Sequence, residues 1–216
     1  MHQEKAIKGK ASPLESSFSI IYLTVILIIV LSSFQDYSLV FFLASESSPI
    51  QSFSVVGYFI AFATAIILQL QGRIAFGVGA AVIFLSMGLR ELDFNERFTT
   101  MGIMKSRFYL SDIVPLKEKI IVLMIVLPLV CFIAVFLKKN FRFFLAALKA
   151  RNKAALLAAN GILFTIIAKL IDSNSSILIC ITEETMELAI PYFFLCAMLL
   201  YVKGERENTG QVTGGE

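Results

Sequence analysis

Histidine is almost missing from this sequence: His2, in a polar N-terminal tail, is the only one in 216 residues. A lone imidazole there cannot anchor a metal site of the usual histidine kind. It also leaves every serine and cysteine without the base that a hydrolytic triad or a cysteine–histidine pair needs. Cysteine is scarce as well. Cys131, Cys180 and Cys196 form no C-x-x-C pair, and Cys131 and Cys196 fall inside apolar runs, where a thiol behaves as a small hydrophobe. Lysine and arginine form no free-standing patch but alternate with apolar runs, which excludes nucleic acid as a partner. The first three apolar runs do not repeat in the last three, so the inverted repeat typical of many transporters is missing too.

Apolar residues fill the space. They make up 57% of the chain, with a mean hydropathy of +0.81, against roughly 45–50% in soluble domains. A globular core of this size cannot hide so much apolar surface behind a polar shell. The composition predicts an all-α polytopic transmembrane bundle whose partner is the lipid bilayer. The net charge of +3 then matters loop by loop rather than as a total.

Taken in order, the chain divides into a polar tail (1–16), one transmembrane domain (17–203) and a Gly-, Glu- and Thr-rich tail (204–216) expected to be disordered. Six spans are expected, at about 17–34, 53–71, 74–90, 116–137, 154–171 and 182–201. The first follows Lys5, Lys8 and Lys10 and so resembles a signal sequence. Its run from Phe18 to Leu31 has no small-x-small cleavage site close behind it, and it reads as an uncleaved span. Tyr37 to Ala44 is too short to cross a bilayer and reads as interfacial. Only Gln71-Gly72-Arg73 separates the second and third runs, a turn that makes them antiparallel neighbours. Gly77-Val78-Gly79-Ala80-Ala81 suits close helix packing. A nucleotide loop would need a preceding strand and a following lysine or serine.

The segment 93–114 reads as an amphipathic loop at the membrane surface. Asp93 and Glu96 have capping-box spacing, and Phe94, Phe98 and Met101 recur at helical spacing. Pro115 suits a first helical turn, and Pro128 predicts a kink. Residues 138–150 read as a separate basic helix in the interface, with Phe141, Phe144, Leu145 and Leu148 on one face and an anionic lipid as its natural ligand. A partner-binding helix is the alternative.

Orientation follows from lysine and arginine. One side collects the N-terminal lysines, Arg73, the group Lys138, Lys139, Arg142, Lys149, Arg151 and Lys153, and then Lys203 and Arg206. Loops 35–51 and 173–181 on the other side carry neither residue. The positive-inside rule places both termini in the cytoplasm of a bacterial inner membrane. The loop after the third span, with Arg97, Lys105, Arg107, Lys117 and Lys119, is the exception.

This topology gathers charge at the outer face. The third span ends in Arg90-Glu91-Leu92-Asp93-Phe94-Asn95-Glu96-Arg97. The fifth ends with Lys169 and Asp172, and the sixth opens with Glu183, Glu184 and Glu187. Glu183 and Glu187, four apart, stack on one helix face, and Glu187 is deep enough to want Arg90 or Lys169 as a partner. Ionisable groups at membrane depth are costly and are usually paired or functional. A salt-bridge network holding three helix ends is one reading. An anion site built on Arg90 and Lys169 is another, and carboxylates around magnesium or calcium a variant. No residue pattern identifies a cofactor.

Enzyme templates fit poorly. Glu183-Glu184 matches only the opening of the E-E-x-x-x-R motif of membrane-embedded prenyl-protease-like enzymes, because Leu188 stands where arginine is required. The D-G-x-x-A-R motif of lipid phosphotransferases is absent. The run Arg90-Glu91-x-Asp93-Phe94, with Phe98-Thr99, Lys105-Ser106-Arg107-Phe108-Tyr109 and Glu183-Glu184-x-x-Glu187-Leu188, resembles a pattern in uncharacterised multi-pass bacterial inner-membrane proteins. That resemblance covers the chain from the third span onward and implies no activity, only that these charges belong together. The leading expectation is a non-enzymatic membrane protein whose cluster binds a lipid head group, an ion or a protein. A membrane-embedded enzyme acting on a lipid or lipid-linked substrate and a small transporter follow, the latter requiring a polar path past Gln69 and Asn160.

Overall fold

A computed structural model of the chain describes residues 13–33, 42, 48–94, 99, 102–103, 106–171 and 177–212. Seven helices form among them: α1 (Pro13–Ser33), α2 (Pro49–Leu70), α3 (Gly77–Glu91), α4 (Ser106–Leu110), α5 (Leu116–Lys149), α6 (Lys153–Ile171) and α7 (Ile177–Val212). No strand occurs among the described residues. Four helices are long and apolar enough to cross a membrane: α2, α5, α6 and the Leu178–Gly204 part of α7. The described apolar part of α1, Ser19–Ser33, is shorter. At 15 residues, α3 is about 22 Å long, less than a hydrocarbon core of about 30 Å.

The last helix is the axis. α7 packs along α6, α2 and α1, and α3 completes the bundle by packing on α2. One apolar core runs through these elements, from Val25 on α1 through Tyr58, Ala61 and Ala65 on α2 and Phe84 on α3 to Phe164 on α6 and Phe193 on α7. Tyr22 sets its ring edge-on against Phe164 and Phe193, and its hydroxyl donates to Asn160 Oδ1. A polar pair between α1 and α6 is thus satisfied inside an apolar wall.

Turn chemistry fixes the hairpins. Gly72 has φ +67°, and its N–H and that of Arg73 return to Gln69 O and Leu68 O, the left-handed ending that glycine allows without strain. The expected hairpin between the second and third spans is present. Gly77 meets α2 so closely that a Cβ there would come within 2.6 Å of Ala65 O. Its N–H donates to Gln69 Oε1 at 2.8 Å. The glycines of this run serve packing, as expected.

Two expectations change. Residues 138–150 are not a separate helix, because α5 runs unbroken from Leu116 to Lys149, 34 residues. Neither glycine nor proline interrupts the chain between Leu137 and Lys149, and a helix without such a break or an inserted group does not bend sharply. It ends only where Arg151 turns left-handed at φ +53° and Asn152 caps α6, accepting from Ala154 N at 2.9 Å. The second change lies at the C-terminus. α7 continues through Gly204 to Val212, where the composition suggests disorder, since extending an existing helix requires no new nucleus.

The stretch 93–114 is described in part. Phe108 and Val114 are buried against Val122, with Ile103 and Val126 beside them, so this segment closes onto the first turns of α5. Leu110 and Ile113 remain exposed. Asp93, expected to open a helix with Glu96, sits left-handed at φ +50°, its N–H returns to Arg90 O, ending α3, and the next residue, Phe94, is helical. Glu96, most of the Tyr37–Ala44 run and the tail 1–12 lie outside the described residues.

Candidate functional site

Three helix segments converge: the last turn of α3, the last turn of α6, and α7 one to three turns in from its start. Arg90 Nη2 lies 2.9 Å from Glu187 Oε1 and 3.6 Å from Glu91 Oε1. Lys169 Nζ lies 3.3 Å from the same Glu187 oxygen and 3.7 Å from Glu183 Oε1. Glu187 is therefore the hub, bridging a cation from α3 and a cation from α6. The helical spacing of Glu183 and Glu187 sets them one above the other, and Lys169 spans both.

The carboxylates and the cations differ in exposure, and the difference gives the site a direction. The side chains of Glu91 and Glu187 are 6% and 9% exposed, those of Arg90 and Lys169 37% and 41%. The acids form the floor and the bases form the rim. A buried carboxylate needs such partners, because an unpaired charge away from water costs several kcal/mol.

The floor has a second support that the charges alone do not reveal. Pro191 lies inside α7 and has no N–H, so the carbonyl four residues earlier, Glu187 O, loses its helical donor. Ser54 Oγ of α2 donates to that oxygen at 3.3 Å. The Pro191 ring fits over Gly57, where a Cβ would come within 2.8 Å of its Cγ. Tyr192 Oη donates to Phe53 O at 3.3 Å, closing the same seam. At the α3 end, Gln51 Nε2 donates to Glu91 O at 2.8 Å, satisfying one of the carbonyls a helix terminus leaves open. Gln51 is itself placed by Ser48, which caps α2 and accepts from Gln51 N at 3.1 Å.

Of the ten residues singled out by sequence, Arg90, Glu91, Lys169, Glu183 and Glu187 form this network. Glu184 stands beside them, half-buried and within electrostatic reach of Glu187, Lys169 and Asp93. Glu96, Arg97 and Asp172 lie outside the described residues. Sequence reading missed Gln51, Ser54 and Tyr58. Tyr58 is fully buried within electrostatic reach of Glu91, Glu187 and Arg90. One signal was available: a proline four residues after a charged intramembrane position announces an orphaned carbonyl and a hydroxyl elsewhere to meet it.

The alternatives gain little. Among the described residues no group of three or more His, Cys, Asp or Glu side chains is arranged to hold a metal ion. Gln69 and Asn160, the polar side chains a transport path would need, are engaged with Gly77 N and with Tyr22. A cleft of about 350 Å³ between α1, α2 and α7 is lined by apolar groups such as Ile20, Ile28, Phe53 and Leu188, with no charged side chain. No family model, curated protein or solved structure matches the chain.

Proposed function

We propose that this chain is a non-enzymatic integral membrane protein whose Arg90–Lys169 rim binds an anionic lipid head group over the Glu187 floor. The observation carrying this reading is the split in exposure: the groups open to the surroundings are the two cations, and the carboxylates lie beneath. Glu187 holds both cations by the shorter contacts, 2.9 and 3.3 Å. The longer contacts to Glu91 and Glu183, 3.6 and 3.7 Å, are those a phosphate oxygen replaces. Arginine offers such a ligand a planar fork of donors, and lysine a point charge.

The wider membrane reading accompanies it. Six spans, counting α1 and the short α3 with the four long helices, put both termini in the cytoplasm of a bacterial inner membrane and the rim at the outer leaflet. Lysine and arginine distribution supports that orientation. A second reading makes the network a structural clamp alone, and the depth of Glu187 favours it. Purifying the full chain in mild detergent and quantifying co-purified phospholipid separates the two. Head-group binding predicts that Lys169→Gln stays folded and loses anionic phospholipid that the unsubstituted chain retains. A clamp predicts equal lipid on both proteins and a loss of thermal stability.

A further inference from the structure

A second feature lies at the far end of the longest exposed helix. From Lys119 to Ile171 the sequence holds no aspartate or glutamate, yet Lys138, Lys139, Arg142, Lys149 and Arg151 fall within it. All five are exposed. At 3.6 residues per turn, Lys138, Arg142 and Lys149 lie within about 40° of one another around α5. Phe141, Phe143 and Leu145 are exposed among them, and Phe144 and Leu148 are half-buried.

Length gives the stripe a level. The apolar part of α5, residues 120–137, is about 27 Å long at 1.5 Å per residue, close to the thickness of a hydrocarbon core of about 30 Å. Because α5 continues unbroken, Lys138 emerges where lipid phosphates begin, and the basic stripe passes through the head-group layer. Exposed phenylalanines beside it have acyl chains to lie in, and lysine and arginine stems reach outward from such a position.

We propose that the Lys138–Arg142–Lys149 stripe of α5 is a docking surface for anionic phospholipids of the bilayer, selecting them over zwitterionic ones. Charge complementarity supports it: an unbroken row of one sign, placed at phosphate depth and flanked by apolar side chains. The stripe stands apart from the Arg90–Lys169 rim and does not depend on it.

The chain has no tryptophan, so Leu145→Trp, at an exposed position on the face of the stripe, supplies a single fluorescent reporter. The full chain carrying it is placed in vesicles containing either brominated phosphatidylglycerol or brominated phosphatidylcholine, and quenching is compared. The proposal expects the anionic lipid to win by roughly fivefold, the equivalent of about 1 kcal/mol for one basic residue near the surface. Raising salt from about 0.1 M to about 1 M shortens the screening length from about 10 Å to about 3 Å and should erase most of that preference. Adding Lys138→Gln, Arg142→Gln and Lys149→Gln should do the same at low salt. Equal quenching by both lipids at low salt overturns the proposal, leaving an acidic protein segment as the partner to test. A preference that survives both high salt and the triple substitution overturns it as well.

Discussion

Two helices of nearly equal length, α5 with 34 residues and α7 with 36, each carry a proline in their interior, Pro128 and Pro191. Their surroundings are opposite. In α5 only Val122 is buried, whereas α7 buries Ile181, Thr185, Glu187, Ile190 and Phe193 and touches three other helices. The more apolar helix is thus the less buried one. In a bilayer hydropathy marks contact with lipid, while small and polar residues mark contact between helices, because lipid tails are as apolar as leucine. The prolines illustrate the point: Pro191 has a glycine seat and a serine to answer its freed carbonyl, and α5 touches its neighbours only lightly.

The contrast should appear most strongly when the hub is removed. Glu187→Gln leaves Arg90 and Lys169 facing a neutral amide, and should cost about 2–3 kcal/mol in detergent unfolding. That is below the roughly 3–5 kcal/mol of a fully buried broken pair, because both cations are partly solvated. Next come the two glycines. Gly57→Val pushes into the Pro191 ring, held in the core, and should cost about 1–3 kcal/mol. A side chain at Gly79 also meets an aromatic ring, Phe136 of α5. That helix has room to yield, so Gly79→Ala should cost less than about 1 kcal/mol. A larger loss at Gly79 than at Gly57 would mean α5 is packed as firmly as α7.

A smaller effect isolates the role of the proline. Ser54→Ala should cost about 1 kcal/mol by orphaning Glu187 O. The same change in a Pro191→Ala background should cost less, since the alanine restores a helical donor. Additive losses would show that Ser54 does not answer for the missing N–H. At the bottom of the scale, Met124→Ala on the exposed flank of α5 should shift stability by no more than about 0.5 kcal/mol. Thermal melts in one detergent measure the whole series.

Much of this arrangement was legible in the sequence, and the misses share one physical cause. The apolar runs marked each long helix, Gly72 marked its turn, and the positions of Arg90, Lys169 and Glu187 near span ends predicted their meeting. Pattern along the chain reports which residues are costly to leave alone. It does not report which neighbour answers them, so the Ser54 and Gln51 contacts with backbone carbonyls stayed hidden. The fused α5 was missed for a different reason. A change from apolar to basic composition looks like a boundary, but no glycine or proline lies between Leu137 and Arg151 to stop the helix.

Glu187 joins the ends of α3 and α6 to α7 through its contacts with Arg90 and Lys169. A double-mutant cycle joining Arg90→Gln with Glu187→Gln, read by unfolding of the full chain in detergent, puts that role to the test. If Glu187 is the hub, the cycle should return a coupling of about 1–3 kcal/mol, within the range for residues in one ion-pair network. Strictly additive losses would contradict it, placing the stability of this bundle in its apolar seams alone.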